Sequence, residues 1–490
     1  MTTFGEMIFW HASRNPDKPA LVGPGKIITY GGLREAISSC AWRVQGLGWA
    51  PGGTVAILAE DRVAHIVLAA SLGRLGFVTM SVGGWEDIQL SGVPLVGVIS
   101  THPAPADNRH PFVQIDSTWV EAGPEKRDPP PLAAVDPRAV NRIALTSGST
   151  GRPKPVGFSA EATRNRQIEA AMIGNAIAWD KVCSMLSLNS NFGYCMSTMA
   201  LTQGKTLVFA DSIAGSMHLV SLFGVEWLVA SNIQLERIIH MQATTPLACP
   251  SLRLVYFGGS LVTQALLRGA RAYLTAQIVC GYGSTESGYI AVAPAERMPA
   301  RDGATGFLAP WVTLQVVDAE GRELPLGSEG VIRFRTPSQG RALNSATGNF
   351  EEIDPVSGWV YPGDTGLVQP DGVVIITGRT NEIINAGGVK YAPEILEQSL
   401  RAHPEVAEAA VVTLPDPFGV EETWVAVVPR NPGVDQASLR RQCLERIRPI
   451  KVRQLVFIDA LPKTDLDKTA RGEVRKILSS LGKPGEANQA

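Results

Sequence analysis

Apolar positions along the first part of the chain alternate between two spacings. In GGLREAISSCAWRVQGLG (31–48), Leu33, Ile37, Cys40, Ala41 and Val44 recur at helical spacing and predict a helix with one apolar stripe. TVAILAED (54–61) predicts a buried strand, and HIVLAASLGRLGFVTMSV (65–82) a helix followed by a strand. Such alternation predicts a mostly parallel sheet covered by helices. STHPAPADNRHP (100–111) and GPEKRDPPPLAAVD (123–136) are polar and proline-rich, and predict surface connections.

Further along, LRLVYFGGS (252–260) and AQIVCGYGSTESG (276–288) share one design, an apolar strand that ends in glycine and small polar residues. Strands ending this way place ligand-approaching backbone at the carboxyl edge of a sheet. GRTNEIINAGGVK (378–390) reads as a polar joint. Beyond it VAEAAVVTL and TWVAVVPR predict strands, and QASLRRQCLERI a helix with Leu439, Cys443 and Ile447 on one face. Disorder is expected for SLGKPGEANQA and its approach. The expected architecture is α/β: a large domain of helix-covered sheets over 1–380, then a small mobile α+β domain over 381–490, hinged near Asn381.

Composition narrows the function. The 490 residues are 45% hydrophobic and 18% charged, as in an ordinary globular protein. The balance of 44 basic against 46 acidic residues gives no support for nucleic-acid binding. Cys40, Cys183, Cys195, Cys249, Cys280 and Cys443 form no C-x-x-C pair, so neither a zinc site nor a disulfide framework is expected. The seven histidines are scattered and read as structural or surface groups. The N-terminal stretch lacks the pattern of a signal peptide, and no window is apolar for the roughly 18 residues of a membrane span. A cytoplasmic protein is the expectation.

LTSGSTGRPKP (145–155) carries the sharpest chemistry. Small residues let backbone N–H groups approach an anion, hydroxyls add donors and Lys154 adds charge, a combination suited to phosphate. The spacing is not that of the nucleoside-triphosphate loop G-x-x-x-x-G-K-[ST], because Gly148 and Gly151 are too close together and Lys154 stands apart.

With that loop, the ordered motifs GYGSTESG, GWVYPGDTG, GRTNEIINAGGVKYAPEILE and LPKTDLDKTARGE resemble the adenylate-forming superfamily of acyl-CoA synthetases, peptide-synthetase adenylation domains and luciferases. The resemblance covers essentially the whole chain. It implies that a carboxylate attacks the α-phosphate of ATP and that a thiol, of coenzyme A or a carrier-protein pantetheine, then takes the acyl group. It assigns Thr146, Ser147, Gly148, Ser149, Thr150, Gly151 and Lys154 to the departing phosphates. Thr285 would bond the α-phosphate, and Glu286 would hold Mg²⁺, a hard cation that takes carboxylate oxygen. Gly258, Gly259, Ser260, Gly281, Tyr282 and Gly283 would shape the base pocket, Asp364 would accept from the ribose hydroxyls, and Arg379 would reach the ribose and phosphates. Lys468 would place its ammonium between the attacking carboxylate and the α-phosphate.

Each assignment has a plainer rival. Taken singly, Asp364 and Arg379 read as solvated surface groups, Tyr282 as a core aromatic, and Ser149 and Thr150 as turn formers. Lys463 competes with Lys468. Three departures from the family pattern stand out: Asp467 where glycine precedes the lysine, Pro155 where glycine follows the loop, and Ser190 where a histidine is common.

By position in the resemblance, Ser190, Asn191, Phe192, Gly193, Trp227, Ser231, Tyr256 and Cys280 would line the acyl pocket. Amino-acid-activating relatives carry aspartate where this chain has Gly193, and a buried ammonium without a partner is costly, so an α-amino acid is disfavoured. Asn191 is either a contact for a ring hydroxyl or a turn-capping residue. Gly387 and Gly388 fall at the pantetheine passage. Three readings stand: a free-standing coenzyme A ligase first, an enzyme loading a separate carrier protein second, and a nucleotide-binding scaffold without turnover third. A homodimer is possible under any of them.

Overall fold

The computed structural model describes residues 3–481 apart from 124–127, 148–152, 175–176, 275, 381–383, 387–388, 392, 416–420, 448–449, 451 and 465–466. The alternation seen in the sequence becomes two large sheets with helices between and around them. In a 13-stranded sheet, Pro19–Gly23, Thr206–Val208, Lys181–Ser184, Trp227–Ser231, Leu254–Gly258 and Gln277–Ser284 lie side by side in parallel. After Gln277–Ser284 the sheet turns antiparallel through Gly288–Pro294, Ala304–Leu308, Val373–Arg379, Asp364–Val368, Gly330–Arg335 and Thr313–Val317. The parallel strands are near-continuous apolar runs because both of their faces are covered.

An 8-stranded sheet holds Thr54–Leu58 between Val78–Ser81 and Gly97–Ser100. Its Val140–Ser147 strand returns antiparallel as Pro153–Ser159, and the phosphate-type stretch joins these two arms in sequence. Thr146 lies opposite Lys154, and Leu145 opposite Pro155. The helices Phe4–Arg14, Tyr30–Gln45 and Arg62–Arg74 share one core with strands of both sheets, and the predicted stripe Leu33, Ile37, Cys40, Ala41 and Val44 is buried in it.

Val373–Arg379 is the last chain segment that joins the large sheet. The elements that follow form a smaller α+β unit around a 3-stranded sheet of Val406–Pro415, Glu421–Pro429 and Val452–Phe457. Strand alternation sends Val411, Val425 and Val427 to one face, against Leu439 and Cys443, and Ala410, Val412 and Ala426 to the other, against Val474 and Leu478. That second layer corrects the expectation of disorder in the approach to the C-terminus. Arg471–Leu481 is a helix, and its buried Val474 and Leu478 hold it down.

Candidate functional site

Three neighbouring parallel strands present one row of residues. Register aligns Ser231 with Gly258 and Gly258 with Gly281, which gathers residues distant in sequence at the carboxyl edge of the parallel sheet. The glycines there are a packing requirement. A Cβ on Gly258 would stand 2.5 Å from the Gly281 carbonyl oxygen, and one on Gly281 only 2.3 Å from the Tyr256 hydroxyl. Gly259 follows with φ +100, a conformation that favours glycine. Ser260 is exposed, and its carbonyl accepts from Asn232 Nδ2 at 3.2 Å.

Beyond Gly283 the chain turns back on itself. Ser284 and Ser287 lock this turn, each backbone N–H donating to the other's hydroxyl at 3.1 and 3.3 Å. Thr285 and Glu286 sit at its tip, and their carbonyls are held from below by Arg166. This guanidinium is 1% exposed; it donates to Thr285 O (2.7 Å), Glu286 O (2.9 Å) and Ser338 O (2.7 and 2.9 Å). Gly340 N–H adds a bond to Glu286 O at 2.7 Å. Glu169, one helical turn on, accepts from the Ser338 hydroxyl. Burial pushes the Glu169 carboxyl up, with Ser338 and Arg166 acting against it, and pulls the Arg166 guanidinium down. Neither residue was singled out from sequence, although a signal was present. Arg166 lies four residues from both Ala162 and Ala170, on the buried stripe of the helix Ala160–Gly174.

A second polar knot lies on the antiparallel part of the same sheet. Asp364 is paired in register with Arg379 and is 7% exposed. Its two carboxylate oxygens accept from Arg379 Nε at 2.9 Å and from the Tyr282 hydroxyl at 2.6 Å. Burial, then the Asp364 charge, pushes the Tyr282 phenol far above its ordinary range, so it stays a donor. Each Asp364 oxygen keeps lone-pair capacity for a further donor.

Lys468 comes to this edge from the smaller unit. The position a Cβ would take on Gly259 is 3.5 Å from Lys468 Cε and 3.8 Å from its Nζ. The loop carrying Lys468 is closed on Thr464, which donates its N–H to Lys468 O at 2.8 Å and accepts at Oγ1 from Lys468 N at 3.3 Å. Lys463, the competitor, is paired with Glu408. Arg471 anchors the far side of the loop on Glu394 and Glu397. At the phosphate hairpin, Thr146 and exposed Lys154 flank the tip, Ser147 ends the strand, and Gly148, Ser149, Thr150 and Gly151 lie outside the described residues, as do Asn381, Gly387 and Gly388.

The expected acyl wall divides. Phe192, Tyr256 and Tyr289 form one aromatic group, with ring centroids 5.7, 6.1 and 6.2 Å apart. Tyr289 was not anticipated. Cys280 stands apart from this group, whereas Trp227 shares its core. Cys280 sits on the opposite face of the sheet from Tyr256, packed with Phe257 in a separate core. Trp227, at the start of its strand, is 0% exposed and packs edge-on against Trp179, 4.9 Å between centroids. Ser231 and Ser190 are N-caps of the helices Asn232–Thr244 and Asn191–Thr202, and Asn191 opens the second of these. His65 bears out the structural reading of one histidine: it is buried against Ser81, and burial pulls its pKa down to about 3.

Gly193 has no room for a side chain. A Cβ there would meet the Ser187 carbonyl oxygen at 2.1 Å and Leu186 Cβ at 2.9 Å. Exchange of this glycine for aspartate therefore cannot simply install a partner for an ammonium. Gly193→Ala is expected to lose about 1–3 kcal/mol of stability through overpacking, read as a lower denaturant midpoint. An unchanged midpoint would show that the helix start can shift to make room.

With this geometry in place, comparison with known proteins identifies the scaffold. The sequence pattern of the AMP-binding enzyme family matches residues 8–83 and 94–342, and that of the AMP-binding enzyme C-terminal domain matches 396–468. A fatty acid–acyl-carrier-protein ligase, ScoC, of Streptomyces coeruleorubidus is 27% identical, over 97% of this chain and 96% of its own. An indoleacetate–CoA ligase of Aromatoleum aromaticum is also 27% identical, over 97% and 98%. The structure of an o-succinylbenzoate CoA synthetase from Bacillus subtilis, bound to its acyl-adenylate, superposes with a TM-score of 0.80 at 20% identity, covering 99% of both chains. The chain belongs to the AMP-binding enzyme family.

Proposed function

We propose that this enzyme activates a neutral aryl or medium-sized acyl carboxylic acid and passes it to coenzyme A, with the roles divided among the residues at the sheet edge. The observation that carries this reading is Lys468 standing against Gly259, on the edge that also presents Thr285–Glu286 and the Tyr282–Asp364 pair. In the first step a carboxylate oxygen attacks the α-phosphorus of ATP, and the bond to the pyrophosphate oxygen breaks. Negative charge crowds there, and the Lys468 ammonium and Thr285 hydroxyl are donors suited to it. In the second step a thiol sulfur attacks the acyl carbon, the bond to the adenylate oxygen breaks, and AMP leaves with that electron pair.

The surroundings fit the nucleotide. Gly258 and Gly281 let the strands close on each other, and half-buried Gly259 stands beyond them beside Lys468. Asp364, fixed by Tyr282 and Arg379, has lone pairs for ribose hydroxyls, and the hairpin flanked by Thr146 and Lys154 would face the phosphates. Glu286 offers the hard oxygen that Mg²⁺ takes, and the bound ion would neutralise phosphate charge. Phe192, Tyr256 and Tyr289 support an aryl or acyl group, while the closed space at Gly193 speaks against an α-amino acid. Gly387 and Gly388 are proposed as the thiol passage, and the segment about Asn381 as the hinge. A carrier-protein pantetheine is the second acceptor, favoured by the equal identity to the carrier-protein ligase and the CoA ligase.

The test separates the half-reactions. Pyrophosphate release across a panel of carboxylic acids identifies the acid, and coenzyme A or a loaded carrier protein is then offered to the adenylate. Lys468→Ala is expected to lower acyl-adenylate formation by roughly 10²–10³-fold, the usual loss of one preorganised transition-state contact, while still transferring a pre-made acyl-adenylate. Normal adenylation by this variant would overturn the assignment. Glu286→Gln is expected to raise the Mg²⁺ concentration needed for half-maximal adenylation, with an unchanged melting temperature. An unaltered Mg²⁺ curve would make Glu286 a surface acid.

A further inference from the structure

Asp467, immediately before Lys468, is the one non-glycine residue with positive φ among the described residues, at 59°. Aspartate is among the few side chains that visit this region, and glycine would do so without strain. What this position gains from a carboxylate is visible across the boundary with the large sheet. Asp467 Oδ2 accepts from Arg237 Nη1 at 2.6 Å, and Arg237 belongs to the helix Asn232–Thr244, which Ser231 caps at the edge of the site. The second arm of Arg237 lies 3.4 Å from Glu408, which in turn holds Lys463. Two cations and two carboxylates thus alternate over the junction.

The neighbouring contacts are polar as well. Glu236, the residue before Arg237, pairs with Arg401 at 3.5 Å, and Gln398 donates to Thr263 at 2.7 Å. Ion pairs that remain partly open to water make an adjustable junction, and here the side chains of Arg237 and Asp467 are 44% and 23% exposed. Asp467 N–H is also bonded to Thr464 O at 2.8 Å, inside the loop that orients Lys468. An anchor on the Asp467 carboxylate therefore acts one residue from the catalytic ammonium.

We propose that Arg237 and Asp467 are positioning residues, whose ion pair holds the smaller unit in the orientation that brings Lys468 to Gly259. Adenylate formation depends on this clamp, and transfer to the thiol does not. The substitution of aspartate for the family's glycine is then a gain of interdomain control and leaves the lysine functional. The inference rests on the role proposed above for Lys468.

The test compares Asp467→Gly, which keeps the backbone free to adopt positive φ, with Arg237→Met, which keeps the stem, and with the double variant. Carboxylate-dependent exchange of labelled pyrophosphate into ATP reads the first half-reaction, and transfer from a pre-made acyl-adenylate reads the second. Each single variant is expected to slow exchange about fivefold, the upper range for a partly exposed ion pair, at unchanged KM for the acid. The double variant should be no slower than either single, Asp467→Asn should lie between Asp467→Gly and the parent, and transfer should stay within about twofold, well below that effect. Raising salt from about 0.05 to 0.5 M should slow the parent's exchange more than that of Asp467→Gly, because screening weakens the pair. Additive losses, equal losses in both half-reactions, or unchanged exchange would overturn the clamp. Lys468→Ala is run alongside. Loss of exchange in that variant alone rejects the clamp and leaves the lysine's role standing, whereas normal exchange in it rejects both.

Discussion

A single buried guanidinium ties the edge of the candidate site together. Arg166 spends its N–H groups on the carbonyls of Thr285, Glu286 and Ser338, and its plane lies over the Phe158 ring with the carbon 4.3 Å from the centroid. A charge buried to this degree is costly unless its donors are met, and backbone carbonyls meet them here. The consequence is geometric. Ser338 leads into the strand Arg341–Leu343, which pairs with the return arm of the phosphate hairpin, Pro153–Ser159. The turn that carries Thr285 and Glu286 and the hairpin that carries Lys154 are therefore held in one frame.

The second constraint is the absence of side chains where neighbouring strands close on each other. Gly258 and Gly281 are packed against a carbonyl and a tyrosine hydroxyl so closely that no Cβ fits. The same close packing brings neighbouring strand ends together. Against this rigid edge the smaller unit is attached by charged pairs, and its own loop is stiffened by Arg471 and Thr464. A rigid edge on one side and a polar, screenable junction on the other suit the movement proposed for the smaller unit between the two half-reactions.

Much of this was legible in the chain. Helical and strand spacing anticipated the two-layered α/β body, because buried parallel strands and amphipathic helices carry strong periodic signals. The order of motifs proposed Lys468, Asp364 and the Thr285–Glu286 turn as one site, and the structure brings Lys468 to Gly259 and Tyr282 to Asp364. Less visible were contacts made by register. Cys280 and Tyr256 both lie on strands at the site, and only pairing shows that they point to opposite faces. Trp227 shares the core of Tyr256 and packs against Trp179. Arg166 and Tyr289 escaped notice because a lone arginine in a helix and a tyrosine in a strand have ordinary explanations. The Asp467 contact is invisible without its partner, Arg237, which is remote in sequence.

The central claim is that the acid's own oxygen is transferred to AMP through an acyl-adenylate. Once the panel has identified the acid, it is labelled with oxygen-18 in the carboxylate and turned over with ATP and the thiol, and the products are weighed by mass spectrometry. The account predicts one labelled oxygen in AMP and none in pyrophosphate. Label in inorganic phosphate, with ADP as the nucleotide product, would mean attack at the terminal phosphate and would contradict it.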